Sequence, residues 1–246
     1  MRFLFVVTGR NCEAYASRCL ESVAALEDQD VRVAVVDDAS TDGTGGIVLG
    51  DALNHGWLGI VNSKQLYALA NQVAAWRALD PQDDDVIVFV DMDDRLAHPH
   101  VTDVLRDYYS RGALLTYGSY RAVPAAHPSA ATCRPAEPYP LEVRAARAYR
   151  QARSCFNHLR TVSWSVLKHL TEEDLRDDSG VYWRANTDRA VMIPCLELAG
   201  DRVAFVPDVL YEYTCDGDDA VWRVMQDTLI TENAQLRART MKRRLV

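Results

Sequence analysis

Val86-Ile87-Val88-Phe89-Val90-Asp91-Met92-Asp93-Asp94 is the stretch on which the fold turns. Five consecutive β-branched or aromatic residues leave no polar face, as in a strand buried on both sides of a parallel sheet. The run then meets three carboxylates in four residues. Such groups repel one another unless solvent, a proton or a cation intervenes. Hard divalent cations such as Mg²⁺ and Mn²⁺ take oxygen ligands of this kind. The bland reading is a solvated acidic turn ahead of a helix beginning near His98-Pro99.

Upstream, strand and helix patterns alternate. Phe3 to Val7 reads as a short buried strand, Val31 to Val36 as a second β-branched run and Trp57 to Val61 as a third short strand, with helical spacing over Cys12–Leu26 and Ile47–Leu53. Leu66, Leu69, Ala70, Val73, Trp76 and Leu79 predict a further helix opening near Asn62-Ser63. Alternation of this kind predicts an α/β fold, a mostly parallel sheet flanked by helices, with ligands collecting at strand C-termini. Asp37-Asp38, after Val31–Val36, is a second acidic pair at such an end. Ser40 to Asp42 suits an Asx-turn with an N-cap, which leaves the two adjacent acids unexplained.

The second half is less regular. Leu114–Gly118 reads as a strand and Ala122–Pro140 as a long loop. Arg144, Arg147, Arg150 and Arg153 would form a basic stripe if helical, more simply a solvated face than a binding site. Ser163–Leu170 and Asp188–Leu198 read as helices, Arg202–Val206 and Val209–Tyr213 as strands, and Asp218–Arg239 as a long amphipathic helix.

Composition bounds the rest. The 246 residues are 48% hydrophobic and 25% charged, which excludes a largely disordered or fibrous chain. With 27 basic and 35 acidic residues the net charge is -8, against a role in coating nucleic acid or anionic membranes. Arg237, Arg239, Lys242, Arg243 and Arg244 gather positive charge near the end. Cysteines 12, 19, 133, 155, 195 and 215 have no zinc-site spacing and read as reduced, half-buried residues. The first apolar run is too short for a signal peptide, and nothing approaches a membrane span. The expectation is a soluble cytoplasmic protein.

The segment Val35-Val36-Asp37-Asp38-Ala39-Ser40-Thr41-Asp42-Gly43-Thr44 resembles the V-D-D-x-S-x-D-x-T hallmark of family 2 nucleotide-sugar glycosyltransferases with the GT-A fold. Val6-Val7-Thr8-Gly9-Arg10-Asn11 is similar to that family's first strand and nucleotide loop, Leu69-Ala70-Asn71-Gln72 to its Ala-x-x-Asn helix, and Val90 to Asp94 to its D-x-D-D metal motif. His158-Leu159-Arg160-Thr161 and Thr187-Asp188 through Pro194, Glu197 and Ala199-Gly200 resemble later segments. The resemblance covers residues 1 to about 214. It implies a Rossmann-related GT-A unit over 1–214, with a nucleotide-sugar half (1–118) and an acceptor half (119–214), then a C-terminal helix and basic tail (215–246).

The resemblance also implies roles. Thr8 and Arg10, with Asn11 on the same nucleotide loop, would lie near the uracil or other base, and Asp38, beside Asp37, would hydrogen-bond it. Asp91 or Asp93 would contact the ribose, and Asp93 or Asp94 would hold Mn²⁺ or Mg²⁺ against the diphosphate of a UDP-type donor. His158 would complete that metal site and Lys64 would reach the diphosphate. A lone histidine beside Phe156 and Leu159, and a lysine at a helix start, are commonly no more than structural. Asp188 would be the base that deprotonates an acceptor hydroxyl during inverting transfer, although the family commonly has Glu-Asp where this chain has Thr187-Asp188. An aspartate at a helix start is also an ordinary cap. The tryptophans Trp164, Trp183 and Trp222 would stack on sugar or, more commonly, fill core. A non-catalytic nucleotide-sugar-binding protein on the same fold is the main alternative. A haloacid-dehalogenase-like phosphatase fits less well, because Asp94-Arg95 stands where that class has Thr or Val. Sugar, acceptor and oligomeric state are open, a nucleic-acid acceptor included.

Overall fold

The computed structural model describes residues 1–127, 130, 133–215, 225–242 and 245. In chain order the elements are β1 (Phe3–Gly9), α1 (Glu13–Ala24), β2 (Val31–Asp37), α2 (Thr44–His55), β3 (Leu58–Val61), α3 (Ala68–Ala78), β4 (Val86–Asp91), β5 (Arg95–Leu96), α4 (Val101–Ser110) and β6 (Leu115–Val123). There follow α5 (Leu141–Ala146), β7 (Arg160–Ser163), α6 (Trp164–Leu167), α7 (Glu172–Leu175), α8 (Thr187–Ala199), β8 (Val203–Thr214) and α9 (Gln226–Ala238). The strands form one sheet in the order β3-β2-β1-β4-β7-β6-β8-β5.

Pairing is parallel from β3 through β2 and β1 to β4, which are the strands most legible from apolar runs. Strand β7 then enters antiparallel between β4 and β6. The β6–β8 pairing is parallel and β5 caps the far edge antiparallel to β8. The sheet is therefore mixed, with its change of direction at β4/β7.

Strands β1 and β4 are buried on both faces, as all-apolar strands must be. Leu4, Val6, Ile87 and Phe89 pack into one layer with Leu69, Val73 and Trp76 of α3 and with α8. Phe3, Phe5, Val7, Val86, Val88 and Val90 pack into the other with Cys19, Leu20 and Val23 of α1 and Leu105 of α4. Residues Ala190 to Ala199 of α8 are all buried, so this helix is a core element and not an amphipathic cover. The start of the sheet is fastened by Asp85, whose Oδ1 accepts from the Arg2 backbone N–H and Nε at 3.2 and 3.0 Å.

Several expectations need correction. Helix α3 starts at Ala68, not near Asn62, because the Leu66 and Tyr67 N–H groups donate to Asp38 and Tyr67 takes φ 69°. The basic stripe does not exist as one helix. Only Leu141–Ala146 is helical, Arg147 turns left-handed at φ 52°, and Arg150 buries itself against Glu197 at 2.8 Å. Arg160–Ser163 is a strand, so the helix expected from Ser163 is short. The two strands expected over 202–213 are one, with a register irregularity against β6 at Gly118–Tyr120. The expected C-terminal helix is seen as Gln226–Ala238; its earlier part, with Trp222, and Arg243 and Arg244 lie outside the described residues. Trp183 is fully buried core, and Trp164 packs partly buried against that core. Among the described residues no helix is long and apolar enough to cross a membrane.

Candidate active site

The sheet places its acidic ends together. Strands β1, β2 and β4 run parallel in register, with Thr8 opposite both Val36 and Asp91, and Gly9 opposite Asp37. Gly9 is required here for space: a Cβ would lie 2.4 Å from the Met92 Cβ and 2.9 Å from the Cys12 Sγ. The β1 and β2 exits are tied by Asn11, a residue tolerant of its left-handed φ of 55°. Its N–H donates to Ser40 Oγ at 2.8 Å and its Oδ1 accepts from the Thr41 N–H at 2.9 Å. Arg10 and Lys64 are exposed nearby, and Thr8 is buried at the strand end.

Asp37 and Asp38 are both buried and both engaged. Asp37 caps its own turn, accepting from the Ser40 hydroxyl and from the Ser40 N–H at 3.3 Å. Asp38 accepts from the Leu66 N–H at 2.7 Å, the Tyr67 N–H at 2.9 Å and Asn62 Nδ2 at 3.2 Å. It thereby latches the segment between β3 and α3 onto the strand end.

The richest electrostatics surround β4. Asp91 ends that strand, and its Oδ2 accepts from Arg160 Nη2 at 3.1 Å. Asp94 is buried; its Oδ1 accepts from the Thr214 N–H at 2.7 Å while Oδ2 is buried without a hydrogen-bond partner. Burial first, then repulsion from Asp93 and Asp91, pushes its carboxyl up to about 9. His158, just before β7, stacks on Tyr211 with centroids 4.6 Å apart and presents Nδ1 3.8 Å from Asp91 Oδ2. Burial and then the Arg160 charge hold this imidazole well below its usual range, so it is neutral and has a lone pair to offer. Ligand atoms of Asp91, Asp94 and His158 all lie within 4.8 Å of one another. Two carboxylates and a neutral imidazole suit a divalent cation such as Mn²⁺, and the orphaned Asp94 oxygen is what such an ion would satisfy. Asp93 is exposed on the same turn, and its carbonyl accepts from Thr214 Oγ1 and from Arg18 Nη2 at 3.2 Å.

Arg160 links these groups to Asp188. It is a buried guanidinium with Nη1 3.9 Å from Asp188 Oδ2, and burial is more than offset by Asp91 and Asp188, which raise its pKa. Asp188 sits in the first turn of α8, partly exposed, and a small pocket lined by Gln72, Phe89, Arg160, Asp188, Val191 and Met192 opens beside it. The N-cap residue is Asn186; Asp188 Oδ1 accepts from the Arg189 N–H at 2.8 Å, and Oδ2 is the oxygen that faces Arg160. The lead into α8 is held from elsewhere. Buried Glu232 of α9 accepts from the N–H groups of Arg184, Ala185 and Asn186 at 2.8, 3.0 and 2.8 Å.

Asp91, Asp94, His158 and Asp188 thus converge around Arg160, whereas Asp37, Asp38 and Asn11 shape the loops flanking them. Sequence reasoning quoted Arg160 without a role and missed Thr214, Tyr211 and Glu232. Arg160 had a signal, an arginine two residues after a candidate ligand. Thr214 and Tyr211 had none, lying more than a hundred residues from the acids they serve.

Comparison with known proteins gives the family and the fold. The family model described as "Glycosyl transferase family 2" matches residues 5–168. The piece of S. aureus TarS spanning its residues 1–349, solved with UDP-GlcNAc, superposes with a TM-score of 0.63 at 16% identity, covering 97% of this chain and 71% of that one. The mannosyltransferase PcManGT from Pyrobaculum calidifontis, solved with GDP-Man and Mn²⁺, gives 0.63 at 16% identity over 98% and 66%. Glucosyl-3-phosphoglycerate synthase from Mycobacterium tuberculosis, solved with Mn²⁺, UDP and glucosyl-3-phosphoglycerate, gives 0.56 at 18% over 97% and 81%. At these identities the likeness shows the fold. No curated protein matches the sequence significantly.

Proposed function

The chain belongs to glycosyl transferase family 2 and is a glycosyltransferase, and from that premise we propose that it moves a sugar from a nucleotide-diphosphate donor, of the UDP type, to an acceptor hydroxyl with inversion. The observation that carries the reading is the ring of Asp91, Asp94, His158 and Asp188 around buried Arg160 at the change of sheet direction. The fold neighbours solved with UDP-GlcNAc, with GDP-Man and Mn²⁺, and with UDP and Mn²⁺ support a donor of this class.

Asp91, Asp94 and His158, with Asp93 beside them, would hold Mn²⁺ or Mg²⁺; bound there, the cation would neutralise charge on the departing diphosphate. The chain's own residues do the rest. The latch made by Asp38 fixes the floor between β2 and α3, and Thr8, Arg10, Asn11, Asp37 and Lys64 border the nucleotide side. Arg160 keeps Asp91 and Asp188 in one field, beside the pocket that Arg160 and Asp188 both line. Asp188 takes the proton from the acceptor hydroxyl as its oxygen attacks the anomeric carbon, a role supplying about 10²–10⁴-fold. Holding donor and acceptor in line supplies much of the remainder.

The test is a thermal-shift panel of UDP-, GDP-, CDP- and dTDP-sugars with and without Mn²⁺, followed by Asp188→Asn. Specific donor binding raises the melting point by mass action. Asp188→Asn should keep the donor shift and lose transfer. Near-wild-type turnover in that variant would remove Asp188 as the base. Donor binding with neither transfer nor donor hydrolysis in the wild type would favour a binding protein instead.

A further inference from the structure

Folding brings two cysteines from distant parts of the chain together. Cys133 lies beyond the exit of β6 and Cys215 directly follows β8, yet their Sγ atoms are 3.6 Å apart across a sequence separation of 82. None of the six cysteines is in a disulfide. Cys12, Cys19, Cys155, Cys195 and Cys215 are buried, whereas Cys133 is partly exposed. Backbone pairing holds the Cys215 side in place: its N–H donates to the Val123 carbonyl at 2.8 Å, next to the Val123–Thr214 register pair.

We propose that Cys133 and Cys215 are a reversible thiol pair, a modification site that takes low-molecular-weight disulfides of the glutathione class. The more accessible Cys133 reacts first. Its thiolate attacks one sulfur of the reagent, the reagent's S–S bond breaks, and one thiol leaves after taking a proton. The Cys215 sulfur, as its proton departs to solvent, then attacks the Cys133 sulfur of the mixed disulfide and expels the second thiol. Two protein thiols are oxidised and one reagent disulfide is reduced, so electrons and protons balance. A bond of about 2 Å asks the two sulfurs, 3.6 Å apart, to approach by about 1.6 Å. Burial pushes the Cys215 thiol up to about 11, which suits a resolving group rather than the first attacker.

The pair sits at the rim of the acidic site. Thr214, the neighbour of Cys215, holds Asp94 through its N–H and the Asp93 carbonyl through its hydroxyl. Tyr120 feels the Cys133 side chain and packs edge-on to His158 at 6.0 Å. A bond between the sulfurs would fasten the segment at 133 to the end of the strand that secures Asp94.

The experiment treats the folded full chain with oxidised glutathione, blocks remaining thiols with an alkylating reagent and maps peptides without reduction. A 133–215 linked peptide should dominate, be reversed by dithiothreitol, and leave the other four cysteines alkylatable only after unfolding. Cys215→Ser should accumulate glutathione on Cys133, because nothing resolves the adduct, and Cys133→Ser should give neither adduct nor link. A circular dichroism melt confirms that each variant is folded. The proposal is overturned if the wild type keeps glutathione on Cys133, if the link forms only in denaturant, or if another pair is linked instead.

Discussion

Glu232→Ala is the substitution whose effect the geometry defines most sharply. The buried carboxylate accepts three successive backbone N–H groups at 2.8, 3.0 and 2.8 Å and also meets Asn186 Nδ2 at 3.3 Å. Hydrogen bonds to a charged acceptor contribute about 1.5–3 kcal/mol each, and a donor left buried without a partner costs a comparable amount. Arg184 is exposed enough for water to replace its bond, but Asn186 is buried. Removing the carboxylate should therefore cost about 3–5 kcal/mol, less than the simple sum. At about 2–4 °C per kcal/mol for a chain of this size, the melting point should fall by about 6–20 °C. Glu232→Gln keeps one acceptor oxygen and should lose about half as much. Denaturant titration gives the energy, and hydrogen exchange at the amides of residues 184–186 gives the location, with protection lost there first. A Glu232→Ala protein melting within about 2 °C of wild type, with those amides still protected, would refute the view that α9 sets the start of α8.

Gly9→Ala drives a Cβ against Met92 and Cys12 and should destabilise by about 1–3 kcal/mol in a urea titration, with Gly46→Ala, where nothing lies within 4 Å, as the control. Asp85 is lowered despite burial, because Arg2 and the N–H groups of Gln82 and Arg2 favour its charged form. Its stabilisation is present above the unfolded carboxylate value of about 3.9 and is lost as pH falls through the folded value. Asp85→Asn should consequently cost about 1–3 kcal/mol at pH 7 and flatten the acid limb of stability against pH. Asp94, raised to about 9 chiefly by burial, holds a proton at neutral pH in the cation-free protein. The folded state then binds more protons than the unfolded one, so cation-free stability should decline as pH rises from the ordinary carboxylate range toward 9. Mn²⁺ binding at pH 7 should release about one proton, read by calorimetry in buffers of different ionisation enthalpy, and Asp94→Asn should abolish the release.

Much of this was legible because the parallel half of the sheet is written in uninterrupted apolar runs. Strand β7 was not, because Arg160-Thr161-Val162-Ser163 carries polar residues that find buried partners. Thr161 Oγ1 bonds Tyr109 Oη at 2.7 Å and Thr116 Oγ1 at 2.6 Å, so polarity there does not mean exposure. Three-residue arginine spacing imitated a helix face, whereas Arg147 and Arg150 are drawn to the Glu197 carbonyl and carboxylate respectively. At the site, acids at strand ends could be read directly, since α/β topology sends strand C-termini to one crevice. What each acid touches could not. Asp38 meets an amide 28 residues later, and Asp94 one 120 residues later. Such pairings depend on three-dimensional closure and leave no periodic trace.

Reversal of direction at β7 has an architectural consequence. An antiparallel neighbour brings the entrance of one strand beside the exit of another, so His158 and Arg160 arrive where Asp91 leaves. The Phe89–Arg160 and Tyr117–Arg160 register pairs pin that arrival from both sides. The chain between β6 and β7 therefore has a fixed return point: the register sets where His158 and Arg160 stand, while Tyr139, Tyr149, Arg150 and Phe156 on the way are themselves buried.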